Sequence, residues 1–197
     1  MIKIPRLPLF VIIICGLAAG MPLTASQAQA PKAFPPVLVT SCGQSQGPEM
    51  LNIILRRVGV AYDIVPVAAA KDLKAKPYKT LIVTMGASLK GMGAAGVSIE
   101  DELKRIADLI DAAKKEKITI IGAHIEGMKR RAQGAEAGDT TDEQSIDAVG
   151  PKSDILFVHM DGNTDGRFTA IAQQKKIPLI EFAKNLDMVA ELTKIFK

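Results

Sequence analysis

Short apolar runs alternate with segments of helical periodicity along most of the chain. The runs are rich in β-branched and other apolar residues and predict six strands, at Val37–Thr40, Ala61–Val67, Thr80–Gly86, Ile118–Ala123, Asp154–Met160 and Ile177–Phe182. The periodic segments predict helices at Pro48–Gly59, Ser98–Lys115, Asp142–Val149, Phe168–Lys175 and Leu186–Phe196. Two shorter segments, Ala68–Lys79 and Gly127–Ala132, are expected to contain brief helical turns.

The alternation of strands and helices predicts an α/β fold. We expect a three-layer, doubly wound parallel sheet of five to six strands, in the flavodoxin-like order 2-1-3-4-5. The strands are nearly continuous apolar runs, which is typical of a sheet covered by helices on both faces. Ligands of such sheets bind outside the carboxyl ends of the strands where the order reverses, here strands 1 and 3.

The most regular helix follows a glycine-rich segment. Ser98 is expected to cap it, and acidic residues in its first turn and lysines in its last turn complement the helix dipole. The preceding segment, 86–97, is interpreted as a loop above the sheet.

The first residues have the layout of a secretory signal peptide. Lys3 and Arg6 precede the apolar segment 7–20, which is short for a membrane span, and small residues then form cleavage patterns ending at Ala28 or Ala30. We expect residues 1–28 to be a signal peptide, 29–36 a tether and 37–197 a single domain, periplasmic or secreted. The alternative is an uncleaved N-terminal anchor.

Loss of the leader changes the charge and cysteine content. The chain has 25 basic and 21 acidic residues, and removal of Lys3 and Arg6 brings the net charge to about +2. Nucleic acid is therefore not an expected partner, and no stable membrane insertion is expected after cleavage. Cys42 is then the only cysteine, so no internal disulfide is expected.

The loops after strands 1 and 3 indicate a site for a small anionic molecule. Free amides near glycines, a helix start and a lysine favour a phosphate or carboxylate. His124, after strand 4, is expected to close one side, and Arg130 with Arg131 could clamp the anion or pair with the acidic loop 136–143. The predicted ligand-binding residues are Gln44, Ser45, Gly86, Ser88, Lys90, Gly91, Gly93, His124, Arg130 and Arg131. The competing interpretation is a mobile loop with a solvated Lys90.

No cofactor is expected. Gly91, Gly93 and Gly96 match GxGxxG, but the first glycine of a dinucleotide fingerprint stands at the strand end, and here that position is Gly86. Flavin is disfavoured because the chain has no tryptophan and only two tyrosines.

A hydrolase is the alternative function. Residues 43–47 match GxSxG between a strand and a helix, the setting of a nucleophile elbow. Ser45 or Cys42 would be the nucleophile, with His124 or His159 as its base. The competing interpretations are that Ser45 hydrogen-bonds a ligand and that Cys42 is a small buried residue.

A calcium-loop pattern occurs after strand 5. Asp161, Asn163 and Asp165 match D-x-N-x-D-G, but the twelfth position is Ala172 and provides no carboxylate. Asx turns that cap the next helix explain the pattern without a metal, so no metal is expected.

Several of these motifs together resemble a bacterial family of exported proteins known only as a domain of unknown function. The matching residues are Ser41, Gly43–Ser45, Gly86, Ser88, Lys90, Gly91, Gly93–Gly96, Glu100–Glu102, His124, Arg130, Arg131, Asp161–Asn163, Asp165, Gly166 and Phe168. The resemblance spans almost all of the mature chain and implies a flavodoxin-like or Rossmann-like fold and export, but no activity.

The leading prediction is an exported binding domain rather than an enzyme. It would hold a small anionic molecule at strands 1 and 3 and could serve a transporter or sensor. The hydrolase comes second, and a calcium-dependent interaction module third.

Overall fold

Six parallel strands form the central sheet of the computed structural model. The structure describes residues 31–132 and 140–196, and the sheet order is β2-β1-β3-β4-β5-β6. The predicted α/β class and flavodoxin-like order are therefore confirmed, with β6 added beyond β5. The strands are β1 (Val37–Cys42), β2 (Tyr62–Ile64), β3 (Thr80–Met85), β4 (Thr119–His124), β5 (Ile155–His159) and β6 (Leu179–Phe182).

Alternate residues of each strand face two separate cores. On β1, Leu38 packs into one apolar cluster, whereas Val37 and Val39 pack into the other. Side chains of a strand point to opposite faces in turn, so a strand covered on both faces must be apolar throughout. This is why the strands appear as unbroken apolar runs in the sequence.

Helices cover both faces of the sheet. One core contains buried residues of α1 and α6, and the other contains those of α3, α4 and α5. The helices are α1 (Gly47–Val58), α2 (Leu89–Ala95), α3 (Ile99–Lys115), α4 (Thr141–Val149), α5 (Arg167–Lys175) and α6 (Asp187–Ile195). Among the described residues, no helix has the length and apolar content needed to cross a membrane.

The ends of α3 follow the sequence signals. Ser98 Oγ accepts the Asp101 N–H at 3.1 Å, and Asp101 Oδ2 accepts the Ser98 N–H at 3.0 Å. This reciprocal capping box satisfies two backbone donors that the first turn leaves free. The predicted cap is confirmed.

The segment 86–97 differs from the prediction because it contains α2 rather than an open loop. Ser88 Oγ caps this helix by accepting the Gly91 N–H at 3.1 Å, and Gly96 ends it in a left-handed conformation with φ 67°. Lys90 and Gly93 occupy exposed positions on it. The glycine-rich composition concealed a short helix whose two ends are well capped.

Other differences concern element length. The second strand is confined to Tyr62–Ile64, and the segments 68–79 and 127–132 contain only the 3-10 helices Ala70–Lys74 and Gly127–Arg130. Residues 136–139 of the predicted acidic loop 136–143 lie outside the described residues, as does the predicted signal peptide, whereas Thr140 caps α4 and Thr141 begins it.

Part of the predicted tether belongs to the fold. Ala33 is fully buried, and its N–H donates to the Ile195 carbonyl at 2.9 Å. The Phe34 N–H donates to Thr80 Oγ1 at 3.1 Å. These bonds join the N-terminal segment to α6 and to the start of β3.

Candidate functional site

The loops after β1 and β3 meet at the carboxyl edge of the sheet. Gln44 and Ala87 pair as an isolated antiparallel bridge, and the Ser88 N–H donates to the Gly43 carbonyl at 2.7 Å. A Cβ placed on Gly91 would lie only 2.1 Å from the Gln44 carbonyl oxygen. Backbone therefore fills the space where the sequence predicted a ligand.

The Gln44 side chain is held by a buried carboxylate. Its Nε2 donates to Glu102 Oε2 at 2.8 Å and to the Pro66 carbonyl at 3.2 Å. The same fully buried Glu102 oxygen accepts the Gly43 N–H at 2.9 Å and Arg105 Nη2 at 2.8 Å. The amide predicted to orient a ligand instead ties the β1 loop to α3.

The glycine amides of the predicted anion site have partners within the protein. The Gly91 N–H caps α2 through Ser88, and the Gly86 N–H donates to Ser145 Oγ at 3.0 Å. Lys90 points from the exposed side of a helix. These groups do not converge on a common point, which differs from the predicted cradle.

Arg130 spans the loops after β3 and β4. Its Nε donates to Glu126 Oε2 at 3.2 Å, and its Nη1 donates to the Ala87 carbonyl at 3.0 Å. Gly86 lies directly against it, since a Cβ there would be 2.7 Å from Arg130 Cβ. Arg130 therefore joins the two loops.

Arg131 is buried in an ion-pair network, and this corrects its predicted role as an anion clamp. Its Nε donates to Glu143 Oε1 at 2.7 Å, its Nη2 lies 2.5 Å from Asp165 Oδ2, and its Nη1 donates to the Gly162 carbonyl. On the other side, Arg167 Nη1 lies 2.7 Å from Glu143 Oε2. Of the two interpretations left open by the sequence, pairing with acidic residues applies to Arg131.

The D-x-N-x-D-G segment caps α5. Asn163 Oδ1 accepts the N–H groups of Phe168 and Thr169 at 2.8 and 3.3 Å, and Asp165 Oδ1 accepts that of Arg167 at 3.1 Å. The hydrogen bond from the Arg131 guanidinium lowers the pKa of the Asp165 carboxyl. Within residues 31–132 and 140–196, no three His, Cys, Asp or Glu side chains are grouped to hold a metal ion.

Two of the four residues considered for hydrolysis lie in the core. Burial raises the pKa of the Cys42 thiol to about 11, so the nucleophilic thiolate is scarce at neutral pH. His124 is also fully buried, with Nδ1 3.2 Å from the Met85 carbonyl and Nε2 3.2 Å from the Gly127 carbonyl. Neither residue can contact a molecule from solvent, so the predicted roles of Cys42 as nucleophile and His124 as base or ligand contact are corrected.

Ser45 lies in the turn that leads from β1 into α1. Its Oγ accepts the Gly47 N–H at 3.4 Å, and its N–H donates to Ser41 Oγ at 3.2 Å. The residue lines an open groove of about 540 Å³ beside α1, together with Gln46 and Met50. Ser45 is thus the candidate nucleophile that borders a solvent-connected space.

A crevice of about 420 Å³ opens at the carboxyl edge of the sheet, beside this groove. Its walls come from the start of α1 and from the loops after β1, β4, β5 and β6. The lining residues are Gln46, Met50, Ile125, Glu126, Gly127, Met128, Lys129, His159, Asp161 and Asn185. A groove of about 600 Å³ lies instead at the opposite, amino edge, which is not where such sheets bind ligands.

His159 enters the crevice from the end of β5. Its Nδ1 accepts the Asp161 N–H at 3.2 Å and lies 3.9 Å from Asp161 Oδ2. The ring also packs edge-on against Phe182, with 5.2 Å between centroids. Because Nδ1 accepts a hydrogen bond, the neutral ring carries its proton on Nε2.

Glu126 is the most buried of the polar side chains that line the crevice. It is only 8% exposed, and its Oε2 accepts from Arg130. Its Oε1 is buried and has no hydrogen-bond partner among the described residues. The sequence analysis did not assign Glu126 a role. The signal that could have found it is a carboxylate two residues beyond His124, the last residue of the buried strand β4.

Comparison with solved structures finds distant similarity to several proteins, among them TesA, a lipase and an esterase. TesA is 13% identical, with 73% of this chain and 76% of that chain covered and a TM-score of 0.31. A GDSL-like lipase from Bacteroides thetaiotaomicron is 13% identical, with coverages of 76% and 71% and a TM-score of 0.34. The esterase EstA from Pseudoalteromonas sp. is 6% identical, with coverages of 74% and 76% and a TM-score of 0.35.

Comparison with curated proteins finds no match. A family model, described as a domain of unknown function (DUF6305), matches residues 34–196, which include all six strands and all six helices described above. The resemblance inferred from the sequence motifs is thereby confirmed. The chain belongs to the DUF6305 family.

Proposed function

We propose that the protein binds a small polar molecule in the crevice at the carboxyl edge of the sheet. The proposal rests on one observation: loops from four strands enclose about 420 Å³ and line it with the polar side chains of Gln46, Glu126, Lys129, His159, Asp161 and Asn185. This volume lies within the usual range for small-molecule sites. The carboxyl edge is where parallel α/β sheets bind their ligands.

The proposed site is displaced from the predicted one. α2 packs its Gly91 against the Gln44 backbone and occupies the space between the β1 and β3 loops. The crevice lies farther along the same edge, where described residues from the loops after β4, β5 and β6 line it. The anionic ligand stays a prediction, and the contacts favour it little because Arg131 is paired and Lys90 lies on α2.

Export to the periplasm or outside the cell is part of the same proposal, as is service to a transporter or sensor. The export part of the proposal is supported by residues 1–28, which have the layout of a signal peptide.

A thermal-unfolding screen against a metabolite library tests the binding proposal. A ligand present at 100 times its Kd adds about 2.7 kcal/mol to the unfolding free energy. For a domain of this size, that raises the Tm by roughly 5–10 °C. Asn185→Trp places a large ring at an exposed lining position, so it should abolish the Tm increase of any hit.

Lys184→Trp is the matched control, because Lys184 is exposed, adjacent and outside the crevice lining. It should leave the response intact. Hits that keep their full Tm increase in Asn185→Trp, or a broad library without any hit, would contradict binding in this crevice.

A serine hydrolase is the second candidate function. It is favoured by the position of Ser45 in a strand-to-helix turn, and by a groove that shares Gln46 and Met50 with the crevice lined by His159. For His159 to act as the base through Nε2, the neutral ring must change tautomer, so that the proton moves from Nε2 to Nδ1 and Nδ1 gives up the hydrogen bond from the Asp161 N–H. In this reaction Ser45 Oγ would attack the carbonyl carbon of an ester while His159 takes the hydroxyl proton and passes it to the leaving alcohol as the ester C–O bond breaks. Water would then cleave the acyl–Ser45 bond, releasing the acid and restoring the hydroxyl group.

Labelling with a fluorophosphonate probe separates this candidate from simple binding. A hydrolase is labelled covalently, and Ser45→Ala abolishes the label, whereas Ser98→Ala, at an exposed serine far along the chain, retains it. An unlabelled protein, or label that persists in Ser45→Ala, would rule out Ser45 as the nucleophile.

A further inference from the structure

Glu126 presents a buried carboxylate that the protein satisfies only in part. Its side chain is 8% exposed, and Oε2 has one donor, Arg130 Nε at 3.2 Å. Arg130 also donates Nη1 to the Ala87 carbonyl, so its guanidinium is shared between two loops. Oε1 is buried without a partner among the described residues. A carboxylate oxygen in this state has a strong need for a hydrogen-bond donor.

A second carboxylate borders the same crevice. A Cβ placed on Gly127, the neighbour of Glu126, would lie 3.5 Å from Asp161 Cβ, so Asp161 packs against the loop that carries Glu126. Asp161 is 73% exposed. Lys129 is the only lysine or arginine among the described lining residues. The lining has two carboxylates and one ammonium group, and Arg130, outside the lining, already pairs with Glu126 Oε2. The feature that favours a cationic hydrogen-bond donor is therefore Glu126 Oε1, a carboxylate oxygen without a hydrogen-bond partner among the described residues.

A metal ion fits this lining poorly. Divalent ions need several hard ligands at short distances, and the described residues contain no group of three suitable side chains. A protonated amine needs only acceptors for its three N–H groups. Glu126, Gln46 and Asn185 line the crevice and carry oxygen acceptors, and Glu126 Oε1 has no hydrogen-bond partner among the described residues.

We propose that the ligand carries a protonated primary amine, which donates a charge-assisted hydrogen bond to Glu126 Oε1. This inference rests on the proposed function, because it names the chemical group recognised in that crevice. It replaces the anionic headgroup expected from the sequence with a cationic one. Asp161 adds attraction from the exposed side, where solvent weakens it.

Three probes with the same four-carbon chain test the choice of headgroup: n-butylammonium, 1-butanol and butyrate. Binding is followed by amide chemical-shift changes of the folded protein at high millimolar probe concentration. We expect n-butylammonium to shift amides in the segments 125–129 and 159–161 and to bind more tightly than the other two probes. Failure of n-butylammonium to perturb these amides, or equal binding of butanol or butyrate, would overturn the inference.

Charge-neutral variants test the role of Glu126. Glu126→Gln keeps the shape of the side chain and should weaken n-butylammonium binding at least tenfold, the loss expected for one charge-assisted hydrogen bond. Glu116→Gln, on an exposed residue at the end of α3, should have no effect. Asp161→Asn removes an exposed charge without risk to the core and should weaken binding by a smaller factor. Unchanged binding in Glu126→Gln would overturn the inference, whatever the result for Asp161→Asn.

The blocking variant separates this inference from the proposed function. If the amine fails but metabolites of another class bind and are excluded by Asn185→Trp, the crevice is a site of different chemistry. If Asn185→Trp leaves every perturbation unchanged, binding is elsewhere on the protein and both proposals fail.

Discussion

Gly91 and Gly93 are separated by a single residue in α2, but their surroundings differ. A Cβ on Gly91 would contact the Gln44 carbonyl oxygen at 2.1 Å, whereas nothing lies within 4 Å of a Cβ on Gly93. The sequence pattern treated both as members of one phosphate-binding loop. At the scale of the residue, Gly91 permits a close backbone approach, and Gly93 has no contact that requires glycine.

We predict opposite effects of alanine at these two positions. Gly93→Ala should stabilise the protein by about 0.5–1 kcal/mol, because alanine loses less conformational entropy than glycine in a helix. Gly91→Ala should destabilise it by about 1–3 kcal/mol, since the added methyl forces the β1 loop and α2 apart. Urea unfolding of both variants measures the difference, and a stabilising Gly91→Ala would contradict the packing described here.

At the scale of the element, α3 is fixed to the sheet by a charged pair in its first two turns. Glu102 and Arg105 pair at 2.8 Å, and Arg105 also donates to the carbonyl groups of Ser41 and Ala68. Together with Gln44, they connect α3 to the loops after β1 and β2. This network keeps the β1 loop in the position from which Gln46 reaches the crevice.

Loss of Glu102 should be costly. Glu102→Ala leaves the guanidinium of Arg105, whose side chain is only 13% exposed, without its carboxylate, and we expect a loss of about 3 kcal/mol. Asp108→Ala on the same helix removes the exposed Lys104–Asp108 pair, whose side chains are 80% and 62% exposed, and should cost about 0.5 kcal/mol or less. Equal losses in urea unfolding would show that the buried pair has no special structural role.

The whole molecule should show acid sensitivity that originates at His124. Burial is the main cause that lowers the pKa of His124 to about 4, and the positive charge of Arg131 adds to it. In the unfolded chain the pKa of His124 is near 6.5. Between pH 6.5 and 4 the unfolded chain therefore binds a proton at His124 that the folded protein does not bind. The unfolding free energy must therefore fall as the pH drops through this window.

We predict a loss of roughly 3 kcal/mol between pH 6.5 and 4 from this residue, measured by urea unfolding at stepped pH. His124→Gln should flatten that slope, while His159→Gln should keep it. Asp165 acts in a lower window, because the bond from Arg131 lowers its pKa and its stabilisation is lost only below its ordinary range. An unchanged slope in His124→Gln would contradict the burial of a neutral imidazole.

Across the whole fold, the local signals were sufficient for the six strands, for their order and for five of the helices α1–α6, whereas α2 was expected to be a loop. The apolar runs predicted all six strands, and Ser98 predicted the cap of α3. The roles of polar side chains were predicted less well. Arg131 has its partner Asp165 34 residues away, and Gln44 has its partner Glu102 58 residues away. No local spacing indicates such pairs, so Gln44 was assigned to a ligand and Arg131 was left open between a ligand and the acidic loop 136–143.

The sequence by itself determined a parallel α/β sheet with a reversal at strands 1 and 3, because burial on both faces requires apolar runs at a helix-strand rhythm. It also brought polar loops to the carboxyl edge, since parallel strands all end there. Only the tertiary structure decided which of those side chains stay available. Packing of α2 on the Gln44 loop fills the space between the loops after β1 and β3. Glu102 or Glu143 forms an ion pair with each of Arg105, Arg131 and Arg167. The crevice beside Glu126 remained because the loops after β4, β5 and β6 leave room between them.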